Sequence, residues 1–153
     1  MTERSVTHST FTLERVYDAP VERVFAAWGD PKAKNRWFAA VADGEEPTME
    51  VDFRVGGTER NIYVNGKGGP TFTYEACFRD IVPNERIVLT NHMHRDADRI
   101  AVNLVSIEFA PEGAGTRVTL TDHGAYLDDF DRADWREQGT GEELDRLAEE
   151  LKR

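Results

Sequence analysis

Glu59, Asn61 and Tyr63 recur at every second residue in the segment Thr58 to Asn65. In a strand that spacing puts all three on one face. A carboxylate and an amide turned into a protein interior can fix a polar or cationic ligand head. They can also supply a general base whose pKa is raised by burial. The competing reading is structural: a buried carboxylate needs an ion-pair partner, and Arg79, Arg99 and Arg136 are candidates. His92 and His94 share a strand face by the same spacing, with Asp96 and Asp98 following. Such a set could ligate zinc, but it sits where a strand enters a loop, and it reads as solvated surface. Asp122 and His123 are neighbours on a strand, so they face opposite ways and do not form an acid–base pair. Cys77 faces away from Phe78, and no histidine is placed as its base. It reads as an inert thiol. Gly66, Gly68 and Gly69 form a turn without the Lys-Ser/Thr helix start of a phosphate loop.

The elements that carry these residues follow from periodicity. Phe11, Leu13 and Tyr17 predict a first strand, ended by Asp18-Ala19-Pro20. Pro20 suits the first turn of a helix, and Val21, Val24, Phe25 and Trp28 continue at helical spacing. A second short helix after Asp30-Pro31 presents Trp37 and Phe38. A long β region comes next. Met49 to Val55 alternate, Gly56-Gly57 breaks the run, and Thr58 to Asn65 resumes it. Asn65-Gly66 to Gly69-Pro70 is a turn. Phe72, Tyr74, Ala76 and Phe78 share a face of the next strand. Pro83-Asn84-Glu85 turns into Ile87–His92, then Ile100–Ala110, a loop at Pro111–Gly115, and Thr116–Thr121. Leu144, Leu147, Ala148 and Leu151 form one apolar stripe, so a terminal helix packs on the sheet. Thr140 and Glu143 fit a capping box at its start. The stretch from Gly124 to Gly139, with Trp135, reads as a partly ordered segment over the sheet edge. The acidic residues Glu142, Glu143, Asp145, Glu149 and Glu150 read as a solvated helix face. The expected architecture is α+β, one domain over residues 1–153. A curved antiparallel sheet of about seven strands, in the order β-α-α-β6-α, wraps a long C-terminal helix. A cavity between helix and sheet is the default ligand site.

Composition narrows the function. The chain has 19 Lys and Arg against 29 Asp and Glu, for a net charge of −10. Such a surface repels phosphate backbones and anionic lipid, so nucleic-acid and membrane partners are not expected. One cysteine permits neither an internal disulfide nor a multi-cysteine zinc site. No apolar run approaches a membrane span, and the first ten residues lack a hydrophobic signal core. The expectation is a cytoplasmic protein, monomer or homodimer.

The chain resembles the START-like, or SRPBCC, superfamily of helix-grip proteins. Within it the chain is similar to the group named for the activator of the 90-kDa heat-shock protein ATPase. The segments "ERVYDAPVERVFAAWGDPKAKNRWF", "DFRVGGTERN", "FRDIVPNERIVLT", "SIEFAPEGAGTRVTLT" and "GTGEELDRLAEEL" carry the likeness from about Phe11 to Leu151. "GGTERN" with "LTDHGAYLDDFD" further resembles a bacterial subgroup. The resemblance implies the helix-grip fold and a cavity, and neither metal nor cofactor. It does not imply a reaction. Many members place apolar or aromatic residues where Glu59 and Asn61 stand. Many also have Gly-Trp ahead of the terminal helix, where this chain has Gly139-Thr140. The expected ligand is small and apolar or amphipathic, held by Trp37, Phe38, Glu59, Asn61, Tyr63, Phe72, Tyr74, Phe78 and Trp135. Two other readings stand beside it: a cyclase- or dehydratase-like enzyme with Glu59 as base, and a co-chaperone-like interaction domain. No catalytic residue is assigned.

Overall fold

The computed structural model describes residues 3–38, 48–64 and 68–153. Its elements run β1 (Val6–Tyr17), α1 (Val21–Gly29), α2 (Pro31–Trp37), β2 (Thr48–Val51), β3 (Thr58–Val64), β4 (Thr71–Val82), β5 (Arg86–Arg95), β6 (Asp98–Glu112), β7 (Gly115–Leu127) and α3 (Ala133–Glu150). The seven strands form one sheet in the order β1-β7-β6-β5-β4-β3-β2. Every pairing is antiparallel. This is the α+β helix-grip architecture expected from the sequence: an open curved sheet against a C-terminal helix.

Local chemistry explains the joints. Pro20 caps α1 in extended geometry, as its fixed φ allows. Asp30 accepts a hydrogen bond from the Lys32 amide at 3.0 Å, and Pro31 occupies the first turn of α2. Asn84 turns β4 into β5 with φ 66°, a conformation asparagine tolerates.

Three expectations about elements need correcting. The strand predicted over Met49–Val55 stops at Val51, because a tight turn through Arg54 and Gly57 (N–H to carbonyl, 2.8 Å) takes over. The last strand does not end at Thr121. It runs to Leu127, pairing with β1 throughout. The terminal helix starts at Ala133, and Arg132 occupies its N-cap without a side-chain hydrogen bond. Thr140 and Glu143 therefore lie inside α3 and form no capping box, and Gly124–Gly139 belongs to β7, a short connection and α3. The predicted turn at Asn65-Gly66 lies outside the described residues.

Register divides the inward face of the sheet into rows. Phe78, Leu89, Val105, Asp122 and Phe11 lie side by side across β4, β5, β6, β7 and β1. The next row is Glu59, Ala76, Asn91, Asn103 and Gly124, across β3 to β7. The row beyond is Asn61, Tyr74, Met93, Ala101 and Tyr126. A mostly apolar row is thus followed by a polar one. The apolar core is completed by α1, by Trp37 of α2, and by Leu144 and Leu147 of α3, which are 1% and 0% exposed. Glu150 is not solvated. It is buried and receives two bonds from the Arg36 guanidinium, at 2.7 and 2.5 Å, which clamp α2 to α3.

Candidate functional site

A cavity of about 80 Å³ lies between the sheet, α2 and the middle of α3. Its apolar wall is Trp28, Trp37, Phe38, Leu89, Val105, Ile107, Leu120 and Leu144, with Met93 above. Its polar groups are Lys34, Asn61, Tyr63, Tyr74, Asn91, Asp122, Arg136, Thr140 and Glu143. Tyr63, Met93, Arg136, Thr140 and Glu143 also line an outer groove of about 410 Å³, which includes Phe72, Phe130 and Trp135. The two spaces share a rim, so the groove is an antechamber to the cavity.

The sequence-predicted residues separate into three places. Trp37, Phe38, Asn61, Tyr63 and Tyr74 line the cavity. Phe72 stacks on Tyr63 in the groove, centroids 5.3 Å apart. Trp135, 55% exposed, flanks the same groove with the Arg132 guanidinium 5.1 Å from its ring. Glu59 and Phe78 line neither space. Phe78 packs edge-on against Phe53 in the closed core. Glu59 faces inward, and its partner is Lys34 rather than Arg79, Arg99 or Arg136. Both side chains are essentially buried, 2% and 0% exposed. The Lys34 ammonium also lies 4.9 Å from the Phe38 ring centroid and 5.7 Å from that of Trp28. Aromatic faces and a carboxylate together replace its water. A hydrogen-bonded, buried ion pair of this kind is a structural plug.

Asp122, set aside with His123 at the sequence level, is the carboxylate on the cavity wall. The two residues do face opposite ways: His123 is exposed, 2.9 Å from the Thr10 hydroxyl. Asp122 is 3% exposed and accepts a bond from Asn103 Nδ2 at 2.6 Å. Burial raises its pKa, against the opposing pull of the Asn103 bond and the Arg136 charge. Burial also raises the Tyr74 hydroxyl well above its ordinary value, helped by the charges of Glu59 and Glu143. Tyr63 is pushed up to about 12, again chiefly by burial. Arg136 donates to Asp131 at 3.0 Å and reaches the Met93 sulfur at 3.6 Å. Its charge is held at the rim between cavity and groove.

Sequence reasoning missed Lys34, Asn91, Asp122, Arg136 and Thr140 as wall residues. Lys34 and Trp37 are three apart and share a helix face, a usable signal. Asn91 and Asp122 follow from strand alternation once register is known. Arg136 and Thr140 were hidden because α3 has no apolar stripe before Leu144.

The outer face of the sheet holds the remaining candidates. His92 and His94 rings lie 5.5 Å apart, with His92 Nε2 3.8 Å from a Glu75 oxygen. Among the described residues no three His, Cys, Asp or Glu side chains gather as a metal site. Cys77 is half-buried, its sulfur 3.9 Å from the Phe78 carbonyl. Among the described residues no helix is long and apolar enough to cross a membrane.

Residues 18–152 match the family model described as Activator of Hsp90 ATPase homolog 1-like protein. A solved structure from Rhizobium leguminosarum is 39% identical, covers 99% of each chain and superposes with a TM-score of 0.93. One from Rhizobium loti is 43% identical, covering 95% of this chain and 99% of its own, with a TM-score of 0.87. An AHSA1-like protein from Aeromonas hydrophila shares the fold at 23% identity, TM-score 0.72, over 94% of this chain and 92% of its own. No curated protein sequence matches the chain.

Proposed function

The chain belongs to the family of Activator of Hsp90 ATPase homolog 1-like proteins, and from that premise we propose that it binds a small amphipathic molecule between sheet and α3. The observation that carries this reading is Asn61. It is 0% exposed, it lines the cavity, and neither atom of its side-chain amide has a hydrogen-bond partner. An unpaired buried amide costs about 1–3 kcal/mol. A folded protein keeps such a cost where a ligand is to be held.

Size assigns the two ends of the ligand. The cavity, at about 80 Å³, is small beside the outer groove of about 410 Å³, so the head group enters the cavity. The body then lies in the groove against Phe72, Phe130 and Trp135. Tyr63 borders both, Trp37, Phe38 and Tyr74 line the cavity, and Glu59 acts behind the wall by holding Lys34. The acidic surface supports a small-molecule partner in preference to nucleic acid.

A second reading rests on Asp122. A buried carboxyl with a raised pKa on a cavity wall is suited to proton abstraction, a role for which Glu59 is committed elsewhere. Native mass spectrometry of gently purified protein tests the binding reading. Extra mass lost on denaturation is the expected result. A bare mass, with Trp28 and Trp37 emission unmoved by a panel of amphipathic compounds, would overturn it.

A further inference from the structure

We infer that the head group taken by the cavity is neutral and carries a hydrogen-bond donor and an acceptor side by side, as a primary carboxamide does. The inference deepens the binding reading above and rests on it.

Asn61 sets the pattern. It stands opposite Tyr74 in the register, is 0% exposed and lines the cavity, yet neither Oδ1 nor Nδ2 has a partner. A planar amide presents its carbonyl oxygen and one N–H along a single edge. Such an edge makes two parallel hydrogen bonds to a group that offers a donor beside an acceptor, as asparagine does on adenine. Exchanging oxygen and nitrogen turns the edge over and leaves its requirement the same. A ketone answers only the nitrogen, and an ammonium answers only the oxygen. The other atom then stays buried and unpaired. The rest of the cavity keeps the same balance. Asn91 Oδ1 is one more unpaired acceptor, and the Trp28 indole N–H is one more unpaired donor. The Tyr63, Tyr74 and Thr140 hydroxyls on the wall can each donate or accept, so they favour neither.

Neutrality follows from the charges around it. Lys34, Asp122, Arg136 and Glu143 put both signs on the wall, so a charged head of either sign meets its like. The cations are also engaged already. Lys34 is held by Glu59, and Arg136 by Asp131. Asp122 accepts from Asn103. A charged head would lose its water and displace one of these partners to regain a counter-ion. A neutral head asks for neither. A site built to hydrogen-bond one partner rejects the analogue that cannot.

Probes that share one alkyl chain test the pattern. Titrate the full chain at neutral pH with octanamide, 2-nonanone and N-methyloctanamide, then with octanoate and octylamine. Follow tryptophan emission and displacement of 1-anilinonaphthalene-8-sulfonate. The ketone has the shape of octanamide with a methyl in place of the amino group. The N-methyl amide keeps an N–H, but its trans bond turns that N–H away from the carbonyl. Octanamide is expected to bind about tenfold more tightly than either, the worth of one net hydrogen bond, and more tightly than both charged probes. In Asn61→Leu the amide-to-ketone ratio falls towards one. The wild-type ratios stand as a test even where that variant fails to fold. Equal affinity for octanamide and either neutral analogue, or a ratio unmoved in Asn61→Leu, would overturn the paired edge while the binding reading survives. Tighter binding of octanoate or octylamine than of octanamide would overturn neutrality in the same way. If none of the probes binds, the binding reading fails and the inference fails with it.

Discussion

The two ends of the inward face are built to opposite rules. Under α1 and the C-terminal half of α3 the rings interlock. Phe25 meets Phe109 at 5.3 Å, Phe53 meets Phe78 at 5.1 Å, and Trp28 meets Trp37 at 4.7 Å, all edge to face. That geometry suits the ring quadrupoles, and only the Trp28–Trp37 pair also borders the cavity. Under the N-terminal half of α3 the same sheet presents Asn61, Asn91, Asn103 and Asp122, and the helix answers with Arg136, Thr140 and Glu143. One end is optimised for packing. The other keeps unpaired groups and a space. Packing and the proposed binding are therefore separable along one helix, and substitutions should sort by end.

The largest contrast comes from Phe109→Ala against Asn61→Leu. Loss of the Phe109 ring, 5% exposed and in contact with Phe25 and Trp28, should cost about 3–5 kcal/mol by urea titration. Asn61→Leu should cost nothing or add about 1 kcal/mol, because it removes an unpaired amide. A severe loss for Asn61→Leu would erase the proposed division.

Glu59→Gln lies next in size. It leaves the Lys34 charge buried beside Phe38, at about 3 kcal/mol. The double change Lys34→Met with Glu59→Leu should recover most of that loss in the same titration. Failure to recover would mean that the pair does more than plug the wall.

Asp122→Asn should go the other way and raise the melting temperature at pH 7. The sign follows from linkage. The folded-state pKa of Asp122 is raised by burial, so the folded state holds its proton more tightly than the unfolded state does. Stability then falls as pH rises from the unfolded value through the folded one. The gain from Asn should be full above that window and vanish in acid.

Much of the fold was legible because its signals are local. Alternation at Phe72, Tyr74, Ala76 and Phe78, and the stripe at Leu144, Leu147, Ala148 and Leu151, depend only on neighbours in the chain. The polar end was half legible for the converse reason. Ala133 to Glu143 lacks a stripe because the surface beneath it is polar, so its helical start could not be read from periodicity. The partner of Glu59 was misjudged because lysine on a short helix normally faces water. The spacing of Lys34 from Trp37 hints that Lys34 points inward, and the approach of α2 to β3 shows Glu59 as its partner.

The smallest effect concerns the clamp between the helices. Arg36 holds Glu150 below the ordinary carboxylate range through their hydrogen bonds. The stability this contributes is present above the unfolded carboxylate value, near 4.3, and is lost as pH falls through the folded one. Arg36→Met should therefore weaken the protein slightly at neutral pH. Acid titration of the melting temperature should bring variant and parent together.

The pairing of β1 with β7 also sets a clock. Val6 lies opposite Leu127, and Tyr17 opposite Thr116. A ribosome adding about 5–20 residues per second needs roughly 6–24 s to travel from one to the other. For that interval β1 has emerged but its hydrogen-bonding edge has nothing to join. An unpaired edge invites other chains. Thr10, Thr12 and Glu14 alternate with its apolar residues and limit that hazard. Yield during synthesis should therefore depend on crowding and temperature in those seconds more than on the stability of the finished sheet.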